Sequence, residues 1–171
     1  LLALLREAAH APTMDELEAA FASSDGGKDE ADLWPVLGRH WDQRFEDRLI
    51  AHLVAGHANP KVRAAALDCA VDHAAGRFPE VVTQLIDANA IEPLARLASD
   101  LGHCACGYGV AGTARRPVYD DLIAALPDPY RAVAMAEIAI LEDAQPVVTP
   151  EAARMLEEIE SPEADMRALR V

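Results

Sequence analysis

Aromatic and basic residues are both scarce in this sequence of 171 residues. Aromatic residues make up 5% of the chain, and 15 Lys and Arg stand against 29 Asp and Glu, so the formal net charge is −14. Such an acidic balance argues against a DNA- or RNA-binding surface, because phosphate contacts depend on Lys and Arg. The chain also lacks an apolar run of about 18 residues, the length that a membrane-spanning helix needs, so no membrane association is predicted.

Cysteine is equally rare, and the chain contains only Cys69, Cys104 and Cys106. An odd number of cysteines, two of them separated by a single residue, does not form a disulfide framework. The composition therefore favours a reducing compartment, and we expect a cytoplasmic protein. The apolar run at residues 1–5 is too short for the apolar region of a signal peptide, because charged residues follow it directly. It predicts a short amphipathic helix instead.

Alanine supplies the apolar content that the aromatic residues do not: the chain has 35 Ala, and 51% of its residues are apolar. This content is too high for a disordered chain. Alanine and leucine favour helices, and alternating strand patterns are missing. We therefore predict an all-α chain that forms a single domain over residues 1–171. Within it we expect N-terminal helices (1–44), a repeat-like core (45–142) and C-terminal helices (149–171).

Local signals predict the helix boundaries. Thr13 opens a capping box, Asn59-Pro60 and Thr149-Pro150 each combine a cap with a proline in the first turn, and Gly56 is a natural helix end. Pro35 is expected in the first turn of its helix, because the residue before a proline avoids helical geometry. The first predicted helix begins at residue 14. The others cover 30–40, 42–55, 60–75, 80–88, 91–101, 118–126, 129–142 and 151–159, and a short helix follows them.

A few side chains are assigned by their spacing on these helices. Ile86 is expected to point inward with the other apolar residues of its helix. Trp34 and Trp41 are seven residues apart and share a face, where core packing is favoured over an exposed partner anchor. His52 and His57 flank the end of a predicted helix, and an imidazole near a helix C-terminus interacts favourably with the helix dipole.

The sequence also contains an internal similarity. The segment 49–53 returns at 122–126, and each copy is followed by an Asn/Asp-Pro turn. A helix of small residues comes next, with Arg63 in the first turn of one copy and Arg131 in the first turn of the other. Helical pairs of this kind bury their apolar faces only by stacking on neighbours.

These segments resemble armadillo and HEAT repeats. Residues 59–67 are similar to the start of the innermost helix of such a repeat, and residues 87–97 to the armadillo junction, although Asn89 replaces the usual glycine. The resemblance covers residues 45–100 well and 118–142 loosely. It implies a short α-solenoid of stacked helices that binds other proteins, and it carries over no functional residues. Another type of α-helical bundle is the alternative.

Residues 102–117 are rich in glycine and are expected to form a loop insert without a stable helix. They contain a Gly-x-Gly-x-x-Gly pattern, but the strand that precedes this pattern in a dinucleotide site is missing. The loop is therefore kept as an alternative ligand-binding or enzymatic site, with Tyr108, Arg115 and Arg116 as its candidate residues.

An alternative metal site involves the same insert. Cys104 and Cys106 lie in it, and Cys69 and His73 share one face of an earlier helix, four residues apart. Three thiolates and an imidazole are a typical zinc ligand set, but this spacing matches no common zinc motif, and free cysteine is often a small buried apolar residue. We therefore predict no cofactor and no catalytic residue, with these four residues as the alternative metal set.

Negative charge is concentrated in residues 1–50, which hold eleven acidic and five basic residues. That excess favours electrostatic steering of a cationic protein partner, with solubility as the alternative explanation. We expect a non-catalytic protein-binding module, by analogy with acidic inhibitors of the immunity type that mask basic enzymes; a homo-oligomer is left open. The residues predicted to face the partner are Asp15, Glu16, Glu18, Asp25, Asp29, Glu30 and Asp32.

Overall fold

The computed structural model describes residues 12–24, 28–106, 112–144 and 148–159. For residues 28–29 and 112–115 within these ranges, it describes the backbone and not the side chains. In these ranges the chain forms α-helices and two 3₁₀ turns without a strand, which confirms the predicted all-α class. None of the helices described combines the length and the hydropathy that crossing a bilayer requires.

The nine helices of the described ranges follow one another through short connections. Their bounds are α1 (Met14–Ser23), α2 (Lys28–Arg39), α3 (Glu46–Ala55), α4 (Pro60–His73), α5 (Phe78–Asp87), α6 (Ile91–Ala105), α7 (Gly112–Ala124), α8 (Tyr130–Leu141) and α9 (Pro150–Glu158). The 3₁₀ turns Gln43–Phe45 and Ala75–Arg77 lead directly into α3 and α5. Gly56 ends α3 as predicted, with a positive φ of 65° that suits glycine.

Side-chain caps start three of these helices where the sequence predicts them. The Thr13 hydroxyl accepts the amide hydrogen of Glu16 at 3.3 Å, and the Glu16 carboxylate accepts that of Thr13 at 2.7 Å, which completes the capping box. Asn59 caps α4 with Pro60 in the first turn, and Thr149 caps α9 in the same way. Each cap satisfies an amide that the helix itself leaves without a partner, so these boundaries are encoded locally.

Pro35 lies inside α2, so the prediction that it stands in the first turn is wrong. The helix begins at Lys28, well before the proline. It continues because Leu33, Trp34 and Leu37 are buried in the core, each at most 1% exposed, and because the helix packs on α4. Tertiary packing therefore outweighs the local cost of the proline. The expected core position of Trp34 is confirmed.

The predicted glycine-rich insert 102–117 is helical at both ends, contrary to expectation. Helix α6 continues to Ala105 and α7 begins at Gly112, while residues 107–111 lie outside the described ranges. Gly102 is required by packing, because a Cβ at this position would lie 2.8 Å from the Cβ of Glu137 on α8. This glycine therefore permits close contact between α6 and α8 and does not end a helix.

Ile86 belongs to the surface and not to the core, which corrects the expected inward position. It is 49% exposed, whereas Val81, Val82 and Leu85 of the same helix are buried. These three side chains already occupy the inner face of α5. Ile86 follows Leu85 by one position, which rotates its side chain about 100° around the helix axis toward solvent.

Helix α6 occupies the centre of the packing. It contacts α8 and α7 most extensively and also packs against α4, α5, α9 and α3. Helices α2, α4, α6 and α8 form a row in which each packs on the next, and α3 packs on α5. The end of α3 and the start of α4 thus come together with α6, and the candidate site lies at this junction.

Candidate functional site

A cavity of about 320 Å³ lies where the end of α3, the first two turns of α4 and the first turns of α6 meet. Leu53, Leu67 and Leu97 contribute an apolar wall. The polar wall consists of His52, His57, Arg63, Glu92, Arg96 and Asp100. An apolar cavity with a few converging polar groups is the usual form of a small-molecule site.

Arg63 of α4 and Asp100 of α6 form the buried part of the polar wall. Arg63 Nε donates to one carboxylate oxygen of Asp100 at 2.5 Å, and Nη2 donates to the other at 3.2 Å. Nη1 donates to the backbone carbonyls of His57 and Ala58, at 2.7 and 3.1 Å. Burial raises the pKa of Asp100 against the opposing effect of the Arg63 hydrogen bonds. The pair therefore joins α4 to α6 and also holds the turn between α3 and α4.

Glu30 of α2 faces two imidazoles beside the cavity. Its Oε1 lies 3.6 Å from His52 Nδ1, its Oε2 lies 3.6 Å from His57 Nε2, and its side chain is 14% exposed. The two rings are nearly parallel, with 13° between their planes and 5.9 Å between their centroids. His57 Nδ1 accepts the amide hydrogen of Asn59 at 2.9 Å, so neutral His57 carries its proton on Nε2, toward Glu30.

His52 is neutral at physiological pH. Burial, together with the nearby charges of His57 and Arg48, lowers its pKa from 6.5 to about 4. Glu30 Oε1, at 3.6 Å from His52 Nδ1, is beyond hydrogen-bond distance. The Trp34 ring lies against His52 with 4.8 Å between centroids, and among the described residues His52 Nε2 has no hydrogen-bond partner.

The described structure does not gather the alternative zinc set into a metal-binding group. His73 stacks on the Trp41 ring, with 4.7 Å between centroids, and lies with Cys69 against α2. Cys104 and Cys106 lie at the end of α6, where the Cys106 sulfur is 3.9 Å from a backbone carbonyl oxygen of α8 and burial raises the pKa of its thiol. Across the described ranges, no three His, Cys, Asp or Glu side chains are placed to hold a metal ion.

The carboxylates predicted to face a partner have different surroundings. Asp15 and Glu18 are exposed on α1, whereas Glu16 is engaged in the capping box and Glu30 faces the two imidazoles. The others are Asp32, which is half-buried, and Asp25 and Asp29, whose side chains lie outside the described residues. Binding of a partner by these residues stays a prediction.

Arg116, predicted as a ligand-binding residue of the loop, is engaged by its own chain. Its Nε donates to Asp120 at 2.8 Å, and its Nη1 donates to Glu142 at 2.9 Å and to a backbone carbonyl of α6 at 3.3 Å. The two carboxylates raise the pKa of Arg116. The other two loop candidates, Tyr108 and the side chain of Arg115, lie outside the described residues.

The sequence contains one usable signal for the cavity. An arginine on the apolar face of an alanine-rich helix, as at Arg63, is buried only with a partner that compensates its charge. Arg131, its counterpart in the internal similarity, is 45% exposed and pairs with Asp128 at 2.6 Å. The buried partner of Arg63 is Asp100, which lies 37 residues further along the chain. No local sequence pattern predicts this pairing.

Comparison with known proteins assigns no family to this chain. No protein-family model matches it, and no curated protein and no solved structure matches it either. The all-helical class is confirmed, while the resemblance to armadillo and HEAT repeats stays a prediction.

Proposed function

We propose that this chain is a non-catalytic helical module that binds a positively charged protein. The observation that carries the proposal is the distribution of compensated and uncompensated charge. In the described part, seven arginines lie within 4.0 Å of a carboxylate of the same chain: Arg44, Arg63, Arg77, Arg96, Arg116, Arg131 and Arg154. Their positive charge is therefore compensated internally.

The carboxylates that are left over are exposed. Those without a Lys or Arg at salt-bridge distance, counted over the described residues, are Asp15, Glu18, Asp87, Asp121, Asp143, Glu151 and Glu157. Arg39, Arg48 and Lys61 are the cationic side chains left without such a carboxylate in the same ranges. The uncompensated charge is therefore mainly negative, and it favours approach of a cationic partner.

The start of the described chain is the part that we propose for the contact. Asp15 and Glu18 are three residues apart on α1, so they share a face of this helix. The negative charge of each contributes to the raised pKa of Arg44. Arg44 is bound by Asp42 through two hydrogen bonds, at 2.9 and 2.7 Å. Asp42 thus compensates Arg44 directly, and the exposed charges of Asp15 and Glu18 are available to a cationic partner.

We further propose that the architecture is a short α-solenoid of the armadillo or HEAT type. The row formed by α2, α4, α6 and α8, with α3 on α5, supports this, since stacked helical pairs place alternate helices in separate layers. Solenoids present extended surfaces to other proteins. An inhibitor of the immunity type, which masks a basic enzyme, is the concrete form of this function that we propose.

The test is to identify the partner and to measure how its binding depends on charge. The wild-type chain and the variant Asp15→Asn/Glu18→Gln serve as baits in an extract of the source cells, and the bound proteins are identified by mass spectrometry. The purified partner is then titrated by calorimetry at low and high salt. We expect a partner of high isoelectric point, an affinity that falls about tenfold or more with salt, and weaker binding by the variant.

The matched control is the variant Asp121→Asn/Glu157→Gln, which removes two exposed charges from other parts of the chain. We expect this control to bind nearly as well as the wild type. A partner whose affinity does not change with salt, or one that carries net negative charge, would overturn the proposal.

A further inference from the structure

We propose that the cavity between α3, α4 and α6 binds a small organic carboxylate, with the carboxylate group on Arg96 and the apolar body against Leu53, Leu67 and Leu97. The inference rests on the cavity alone and is independent of the cationic partner proposed above. It assigns the cavity to one chemical class of ligand, an anion with an apolar body.

Arg96 has hydrogen-bond donors that no described residue uses. It binds Glu92 through Nη2 alone, at 2.7 Å, so Nε and Nη1 have no partner among the described residues. The Arg96 side chain is 23% exposed and lines the cavity, whereas the Glu92 side chain is 67% exposed. An ion pair to such an exposed carboxylate contributes little, because water screens it. A ligand carboxylate is therefore able to join or replace Glu92 on a guanidinium whose fork matches its geometry.

Apart from Glu92 at the exposed rim, the charged groups of the wall oppose an anion little. Both carboxylate oxygens of Asp100 are bound by Arg63, so the negative charge of Asp100 is compensated at short range. His52 is neutral, and Glu30 faces the two imidazoles without belonging to the cavity wall. With Glu92 at the exposed rim, Arg96 is the charged group of the wall that keeps free donors.

The net charge of −14 does not prevent binding of an anion at this place. At physiological ionic strength, charges separated by more than about 8 Å are largely screened, so the groups in the cavity wall dominate the local interaction. Distant carboxylates slow the approach of an anion and have a smaller effect on the bound state. The expected affinity is therefore modest and set by the cavity.

The apolar wall explains why an organic anion is proposed and not an inorganic one. Leu53, Leu67 and Leu97 contribute apolar side chains to the cavity lining, and Pro93 adds to this surface. Burying apolar ligand surface against these side chains adds to the affinity. A volume of about 320 Å³ is at the small end of the range for ligand sites, about 300–1,000 Å³.

Benzoate is a suitable probe, with benzamide and inorganic phosphate as matched controls. Benzamide keeps the apolar ring and removes the charge, while phosphate keeps negative charge and removes the ring. Each is titrated into the wild-type chain at constant ionic strength, and binding is followed by the shift of the Arg96 Nε resonance in NMR. We expect saturable binding of benzoate and, for both controls, binding weaker by about tenfold or more.

Two substitutions test the role of Arg96 in opposite directions. Arg96→Gln is expected to weaken benzoate binding by about tenfold or more, because it removes the charged fork. Glu92→Gln is expected to strengthen binding several-fold, because it releases Arg96 from its own carboxylate. The matched control is Arg154→Gln, since Arg154 also pairs with a glutamate four residues away, on α9. We expect this control to leave binding unchanged.

In variants that lack Arg96, binding is followed by calorimetry, and circular dichroism verifies the helical fold. Benzamide that binds as tightly as benzoate would overturn the role of the charge, and phosphate that binds as tightly would overturn the role of the apolar wall. Equal affinities of the wild type and Arg96→Gln, or an absence of saturable benzoate binding, would overturn the assignment of the cavity.

Discussion

Arg63 on α4 and Asp100 on α6 form a two-point ion pair in the interior of the chain. Nε of Arg63 lies 2.5 Å from one carboxylate oxygen of Asp100, and Nη2 lies 3.2 Å from the other. The side chains are only 8% and 4% exposed. Because each ion has lost most of its hydration, each depends on the other for compensation of its charge.

Removal of one member of this pair is expected to destabilise the fold strongly. Asp100→Asn keeps the size of the side chain and leaves the charge of Arg63 buried without its counterion. We expect the free energy of unfolding to fall by about 3–5 kcal/mol. Urea unfolding followed by circular dichroism measures this loss.

Arg131→Met is the matched control for the buried pair. Arg131 holds the equivalent position in the second copy of the internal similarity, but it is 45% exposed, so we expect a loss below about 0.5 kcal/mol. Replacing both members of the buried pair, as Arg63→Met/Asp100→Leu, should recover most of the stability that Asp100→Asn loses. A loss in Asp100→Asn no larger than in Arg131→Met would contradict the role assigned to the pair.

His52 is expected to make the stability depend on pH. Its pKa is about 4 in the folded chain, against an ordinary value of 6.5, because burial and the nearby charges of His57 and Arg48 disfavour the protonated imidazole. Below pH 6.5 the unfolded chain therefore takes up a proton that the folded chain does not. Stability contributed by neutral His52 is complete above pH 6.5 and falls as the pH is lowered to about 4, by up to about 3 kcal/mol.

Comparison with His52→Gln isolates this effect. Glutamine does not titrate, while the carboxylates that take up protons in the same range are common to both chains. Denaturant unfolding is measured for each chain at a series of pH values from neutral to about 4. We expect the wild type to lose more stability than the variant over this range. Parallel pH profiles would show that burial does not keep His52 neutral.

The sequence predicts the starts of helices better than it predicts the cavity. Thr13, Asn59 and Thr149 cap helices at the expected positions, because a cap needs only residues within one turn of it. Local criteria predict Pro35 in the first turn of a helix and Gly102 in a loop, and both predictions are wrong. Both lie inside helices, since contacts between distant helices outweigh their local preferences.

The residues of the cavity could be recognised from the sequence only in part. His52, His57 and Arg63 stand out in the sequence, but their partners come from α2 and α6 and depend on how the helices pack. Glu30 shows that composition alone does not reveal which carboxylates are exposed to a partner. It belongs to an acidic segment, yet its side chain is directed at the two imidazoles and is only 14% exposed.

Tyr119 connects α7 to α4 through its hydroxyl group. The residue is 1% exposed, and its hydroxyl donates to Oδ1 of Asp68 at 2.6 Å. Tyr119→Phe removes this donor from a partly buried carboxylate, so we expect the free energy of unfolding to fall by about 1–2 kcal/mol. Tyr130→Phe is the control, since the Tyr130 hydroxyl has no hydrogen bond among the described residues. An equal fall in the free energy of unfolding of both variants would show that the hydrogen bond is not the cause of the loss in Tyr119→Phe.

Gly102 lies at the closest contact between α6 and α8. A Cβ at this position would lie 2.8 Å from the Cβ of Glu137 and closer still to the carbonyl oxygen of Ala134. Alanine is the better helix former by about 1 kcal/mol, but the contact is with backbone, which cannot move away without separating the two helices. We therefore expect Gly102→Ala to lower the free energy of unfolding by about 3 kcal/mol, as for an overpacked core.

Gly76→Ala separates this steric effect from the general effect of adding a methyl group. A Cβ at Gly76 would meet no atom of the described residues within 4 Å, so we expect stability within about 0.5 kcal/mol of the wild type. Both variants are compared by urea unfolding. If Gly102→Ala were as stable as Gly76→Ala, the helices would not be in close contact at this point.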